Sequence, residues 1–187
     1  MLRIGLTGGI GTGKSTASKI LEKLSAYIFD ADKEAKKILL SNETIKSELI
    51  SEFGTDIMTG DGNVDNNKLA RVAFQDQDHQ LRLNTIVHPY VFKEIDKNFD
   101  RELDSGKHDI FVVDAALIYE SGADTHMDYV IVITALIKTR MERALARETL
   151  SREEILKRID LQWSEEEKVA LADFVIHNDG PEKELIK

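Results

Sequence analysis

The chain has 187 residues and no cysteine, with 42% hydrophobic and 32% charged side chains and a formal net charge of −9. That length suits one ordinary domain, or one domain with a sizeable insertion, and the balance is that of a globular chain able to bury a core. The acidic surplus disfavours a nucleic-acid substrate, the missing thiols exclude disulfides and cysteine-ligated metals, and no apolar run approaches a membrane span. The first residues enter a strand without a signal-peptide pattern, so the cytosol is the expected location.

Residues 2–6, Leu-Arg-Ile-Gly-Leu, read as a short buried strand. Gly8 to Thr16 then satisfy G-x-x-x-x-G-K-[ST], with Gly8, Gly13, Lys14 and Ser15 in the fixed places. From Lys14 to Leu24, helical spacing puts Ala17, Ile20, Leu21 and Leu24 on one face. A strand, a glycine loop and a helix N-terminus make an anion cradle of inward N–H groups backed by the helix dipole. Lys14 is placed to reach the β- and γ-phosphates of a nucleotide, and Ser15 to offer its hydroxyl to Mg²⁺.

Further apolar segments at 26–29, 110–113, 129–133 and 174–176 alternate with longer helical stretches. That is the pattern of a parallel sheet with helices on both faces. The segment at 26–29 runs into Asp30-Ala31-Asp32, and the one at 110–113 into Asp114. Ligands of such sheets bind beyond the carboxyl ends of the strands, so these acids belong on the edge that carries the glycine loop. Asp114 after four apolar residues is a Walker-B arrangement, a strand-end carboxylate able to hold Mg²⁺.

Between Asp32 and Ile110 there is no good strand. Helical periodicity runs through 33–40, 44–53, 67–74 and 80–99, broken by Gly60-Asp61-Gly62-Asn63 and by His88-Pro89. These pieces form a helical insertion where a second substrate would sit. In an extended strand Asp30 and Asp32 would point to one side, where a carboxylate can orient a hydroxyl and take its proton. The alternative for Asp32 is an N-cap of the helix that begins at Lys33. His88 suits either a hydrogen bond at the substrate pocket or a helix corner. From 139 to 168 the chain is charged and helical, with capping-box spacing at Ser151–Glu154 and Ser164–Glu167. Arg140, Arg143 and Arg147 share a helical face and suit a lid that neutralises phosphate charge, or else a solvated face paired with Glu142 and Glu148. Trp163 is a packing anchor, and Gly180-Pro181 opens a last short helix.

With these residues assembled, nearly the whole chain resembles dephospho-coenzyme A kinase. Gly5 to Thr16 has that family's glycine-loop form, and Asp30-Ala31-Asp32 is similar to its Asp-Ala-Asp, whose second acid is taken as the catalytic base. Leu83-Asn84 with Val87-His88-Pro89 resembles its acceptor-domain segment, and Leu117-Ile118-Tyr119-Glu120 its Pro-Leu-Leu-Phe-Glu loop. Arg143, Arg147, Ser151 to Glu154, Arg158, Gln162, Lys168, Ala172 to Ile176, Asn178 and Gly180 follow its later pattern in order. Ala116, Lys36, Arg140 and Ser164 depart from it.

The resemblance implies one α/β domain of three-layer P-loop type over 1–187. Its core lies at 1–32, 108–138 and 169–187, a helical acceptor-binding insertion at 33–107 and a helical lid at 139–168. The implied reaction moves the γ-phosphoryl group of ATP, with Mg²⁺, to the ribose 3′-hydroxyl of dephospho-CoA. Asp32, Lys14 and Arg143 are then catalytic, and Gly11, Thr12, Gly13, Lys14, Ser15, Thr16, Arg147 and Asn178 hold ATP. Asp32, Lys36, Arg82, His88, Pro89, Leu117 and Glu120 face the acceptor, while Ser15 and Asp114 hold the metal. Partners are these small molecules, with no nucleic acid or membrane, on a monomer or weak homo-oligomer. A kinase of another small acceptor, such as a nucleoside monophosphate, uses the same parts. A GTPase-type switch needs D-x-x-G and N-K-x-D, and neither occurs.

Overall fold

The computed structural model describes residues 1–186. Five parallel strands lie in the order β2-β3-β1-β4-β5: β1 (Leu2–Thr7), β2 (Tyr27–Asp30), β3 (Ile110–Asp114), β4 (Tyr129–Thr134) and β5 (Phe174–His177). All five grow from the short apolar segments expected of them. The central strand β1 pairs Leu6 with Asp114 on one side and with Ile131 on the other. Asp30 is in turn the register partner of Asp114. Because every strand runs the same way, the loop after β1 and both acids lie on one edge.

Helix α1 (Lys14–Lys23) follows the glycine loop, and its inner face joins a core of Leu6, Ala17, Ala26, Val112 and Ile133. Leu24 is not part of that face. The helix stops at Lys23, and Leu24, at its C-cap, is 72% exposed, while Ser18 turns inward instead.

The chain divides into two compact units, Met1–Asp30 with the chain from Ile95 on, and Ala31–Glu94. The second is helical: α2 (Ala31–Ser41), α3 (Glu43–Phe53), α4 (Asn66–Ala73) and the first part of α5 (Gln77–Ser105). Asn42 and Asp65 cap α3 and α4 through side-chain oxygens, and Ile45, Leu49, Ile57 and Leu69 are buried. The expected break at His88-Pro89 is absent, since α5 runs on through Pro89. A proline inside a helix costs about 3 kcal/mol, and the buried stripe Val87, Val91 and Ile95 at four-residue spacing offsets it. β2 ends at Asp30 and α2 starts at Ala31, so Asp32 lies in the first turn of a helix. It is neither on an extended strand beside Asp30 nor an N-cap.

After β4 come α6 (Ile137–Leu145), α7 (Arg152–Asp160), α8 (Glu165–Leu171) and, after β5, α9 (Glu182–Leu185). Both capping boxes form, at Ser151 with Glu154 and at Ser164 with Glu167. Pro181 is the N-cap of α9, one residue earlier than a proline opening the helix itself. Met141 and Ala144 of α6 and Ile155 of α7 make a second small core, against which Ile10 of the glycine loop packs. No helix among the described residues is long and apolar enough to cross a membrane.

Candidate active site

The glycine loop leaves β1 at Thr7 and enters α1 at Lys14. Gly13, at the N-cap of α1, has φ 97°, a left-handed conformation a side chain would strain, and no side chain caps the helix start. A helix start with no side-chain cap is the kind of N-terminus that binds anions. Thr16 N–H closes back on Gly13 O at 2.9 Å. Thr12 is buried, and its hydroxyl is enclosed in the loop with no hydrogen-bond partner.

Lys14 forms an ion pair with Asp114 at the end of β3, with both side chains largely buried. Ser18, one helical turn beyond Lys14, donates its hydroxyl to the other oxygen of the same carboxylate. The sequence reading found Lys14 and Asp114 but overlooked Ser18, which the four-residue step from Lys14 would have revealed. Ser15 is the exposed residue of that first turn. The buried Asp114 carboxylate is a hard oxygen donor of the type Mg²⁺ takes alongside phosphate oxygens, and Ser15 exposes a second oxygen at the start of α1. Asp30, an exposed acid, closes β2 beside them in register.

The three arginines do not share one lid face. α6 ends at Leu145, which leaves Arg147 exposed in the turn beyond it. Arg143 donates to Asn178 O at 2.7 Å, Gly180 O at 2.9 Å and Thr12 O at 3.5 Å. Asn178, 6% exposed, adds its side-chain amide to Thr12 O at 2.8 Å. Arg140 is buried, donates from Nε to Ile10 O at 3.0 Å and pairs with Glu165 at 3.3 Å.

The loop after β3 is held from α8. Glu120 accepts from Trp163 N–H and from Lys168, each at 2.9 Å, and Lys168 is 0% exposed. Ala116 O accepts from Lys168 at 3.1 Å and from Thr7 at 3.2 Å. Tyr119 stacks on Trp163, which is itself 42% exposed, and burial pushes the Tyr119 phenol up to about 12. Leu117 is half-buried in the same turn.

The helical unit carries the other expected acceptor residues. Asp32 and Lys36 are exposed on α2. Arg82 on α5 pairs with Glu52 at 2.9 Å, and the ring of His88 lies 5.9 Å from that of Phe92, with Pro89 exposed between them in sequence.

A phosphate loop on a parallel sheet, with a lysine and an acid already paired at its mouth, is the equipment of a nucleotide-dependent phosphotransferase. The dephospho-CoA kinase family model matches residues 2–184. A dephospho-CoA kinase of Carboxydothermus hydrogenoformans is 42% identical over 95% of this chain and 85% of its own length. Among solved structures, a Thermus thermophilus protein superposes with a TM-score of 0.81 at 30% identity, covering 98% of this chain and 92% of its own. The dephospho-CoA kinase of Campylobacter jejuni gives 0.69 at 29% identity, covering 98% and 91%. Both the glycine loop and the later motifs lie inside the matched span, and the chain belongs to the dephospho-CoA kinase family.

Proposed function

We propose that this kinase transfers the γ-phosphoryl group of ATP to the ribose 3′-hydroxyl of dephospho-CoA, giving CoA and ADP. The observation that carries the ATP half is the glycine loop with Lys14 held at its mouth by Asp114. The acceptor half rests on the family and on the Asp30-Ala31-Asp32 and His88-Pro89 segments.

The loop amides and the uncapped start of α1 bind the phosphates, and Lys14 moves from Asp114 to the β- and γ-oxygens. Asp114 and Ser15 would hold Mg²⁺, which when bound supplies charge neutralisation at the β- and γ-phosphates. Asp32 accepts the proton of the 3′-hydroxyl as its oxygen bonds to the γ-phosphorus and the bond to the β–γ bridging oxygen breaks. Arg143 and Arg147 add positive charge where it develops in the transition state. Lys36, Arg82, His88, Pro89, Leu117 and Glu120 bind and orient the acceptor.

The test is ADP release measured with dephospho-CoA, AMP, CMP and shikimate in parallel, with the position of the new phosphate read by ³¹P–¹H NMR. Turnover with dephospho-CoA and a 3′-phosphate in the product are expected. Faster turnover with AMP or CMP would instead place the chain among nucleoside monophosphate kinases.

A further inference from the structure

We infer that Arg140 and Glu165 are positioning residues that aim the glycine loop at the phosphates. The inference rests on the ATP-binding part of the proposed function.

The outer side of the loop is held peptide by peptide. Gly9 N–H donates to Glu165 Oε1 at 3.1 Å and Ile10 N–H to Gln162 Oε1 at 3.3 Å. Ile10 O accepts from Arg140 Nε at 3.0 Å, and Thr12 O from Asn178 at 2.8 Å. Three consecutive peptide units, 8–9, 9–10 and 10–11, are thus each gripped by one side chain from outside the loop. The Arg140 and Glu165 side chains are only 6% and 12% exposed, and they close the ring on each other at 3.3 Å. Their approach needs the glycine at position 9, since a Cβ there would collide with both the guanidinium and the carboxylate.

Peptide planarity turns this outer grip into an inner alignment. In a trans unit the carbonyl and the N–H point in opposite directions, and no peptide bond among the described residues is cis. Holding Ile10 O on Arg140 therefore turns Gly11 N–H away from Arg140, toward the inside of the loop. Asn178, by holding Thr12 O, does the same for Gly13 N–H. Arg140 thus acts at one remove, through an amide rather than through a phosphate. Glu165 has two tasks in this arrangement: it fixes the first unit and balances a buried cation that would otherwise stand uncompensated. The sequence singles out Arg140 only as a lid residue meeting phosphate and does not single out Glu165, and position 140 is one where the chain departs from the family form.

The experiment measures ATP and dephospho-CoA binding by calorimetry, with melting temperature, for wild type, Arg140→Lys, Arg140→Gln, Glu165→Gln and the double variant. Arg140→Lys keeps the charge and loses the guanidinium fork that bridges Ile10 O and Glu165. ATP binding is expected to weaken about tenfold or more, the size of one lost charge-assisted hydrogen bond, with acceptor binding unchanged within about twofold. In Arg140→Gln the loss is larger, and adding Glu165→Gln recovers part of it by removing the unbalanced carboxylate. Equal loss of both ligands in step with melting temperature, or unchanged ATP binding, or strictly additive effects, would each overturn the inference. A wild-type protein that binds ATP but ignores dephospho-CoA would fail the acceptor assignment alone, because ATP binding is read here without turnover.

Discussion

The glycine loop and the helical unit of Ala31–Glu94 carry their functional residues in opposite ways. Around the loop, Asp114, Arg143 and Asn178 are buried or half-buried and hydrogen-bonded in place. In the helical unit, Asp32 and Lys36 are exposed on α2, and the Arg82 side chain is 59% exposed, held by a surface ion pair. The first region is preorganised, so its cost was met in folding and binding need not order it again. The second presents exposed side chains, which on the proposed function are the ones that meet the acceptor. A kinase gains from that division, because phosphate is common to every turnover while the acceptor must be selected.

The sharpest break in this comparison is Asp32→Asn. It keeps size and helix position while removing the proton acceptor, so kcat is expected to fall about 10²–10⁴-fold with ATP affinity unchanged. Kinetics with direct ATP binding check it, and near-normal turnover would move the base to Asp30. Lys14→Ala comes next, with a loss of about 10²–10³-fold in kcat, as for one removed transition-state donor. It also strands the Asp114 carboxylate, so the melting temperature of the sheet unit should drop, an outcome calorimetry can read. Arg82→Ala has the smallest expected effect. The surface pair with Glu52 is worth about 0–1 kcal/mol, so stability should hardly change, whereas acceptor KM should rise about tenfold if the guanidinium meets an anionic group. An unchanged KM would remove Arg82 from the acceptor site.

How far the sequence alone carries follows from where each feature is encoded. Strands and glycine loop were legible because their signals are local: apolar runs, glycines at fixed offsets, and an acid after Val113. The two capping boxes were legible for the same reason, since both partners lie within four residues. Pro89 misled because its local preference was outweighed by the buried stripe of Val87, Val91 and Ile95. The Arg140–Glu165 pair and the grip of Gln162 on the loop were invisible, because they join residues 25 or more apart that only the fold brings together. Spacing alone likewise set Arg147 on a helix that in fact stops at Leu145.

The enclosed Lys168 gives the protein a built-in reporter. Its amine, 0% exposed and committed to Glu120 and Ala116 O, is closed to acylating reagents, while Lys36 lies exposed on α2. Under excess reagent, modification at position 168 must wait for α8 to part from the loop after β3. Peptide mass spectrometry of the labelled chain then reads, at one residue and without any engineered probe, how often that part of the fold comes open.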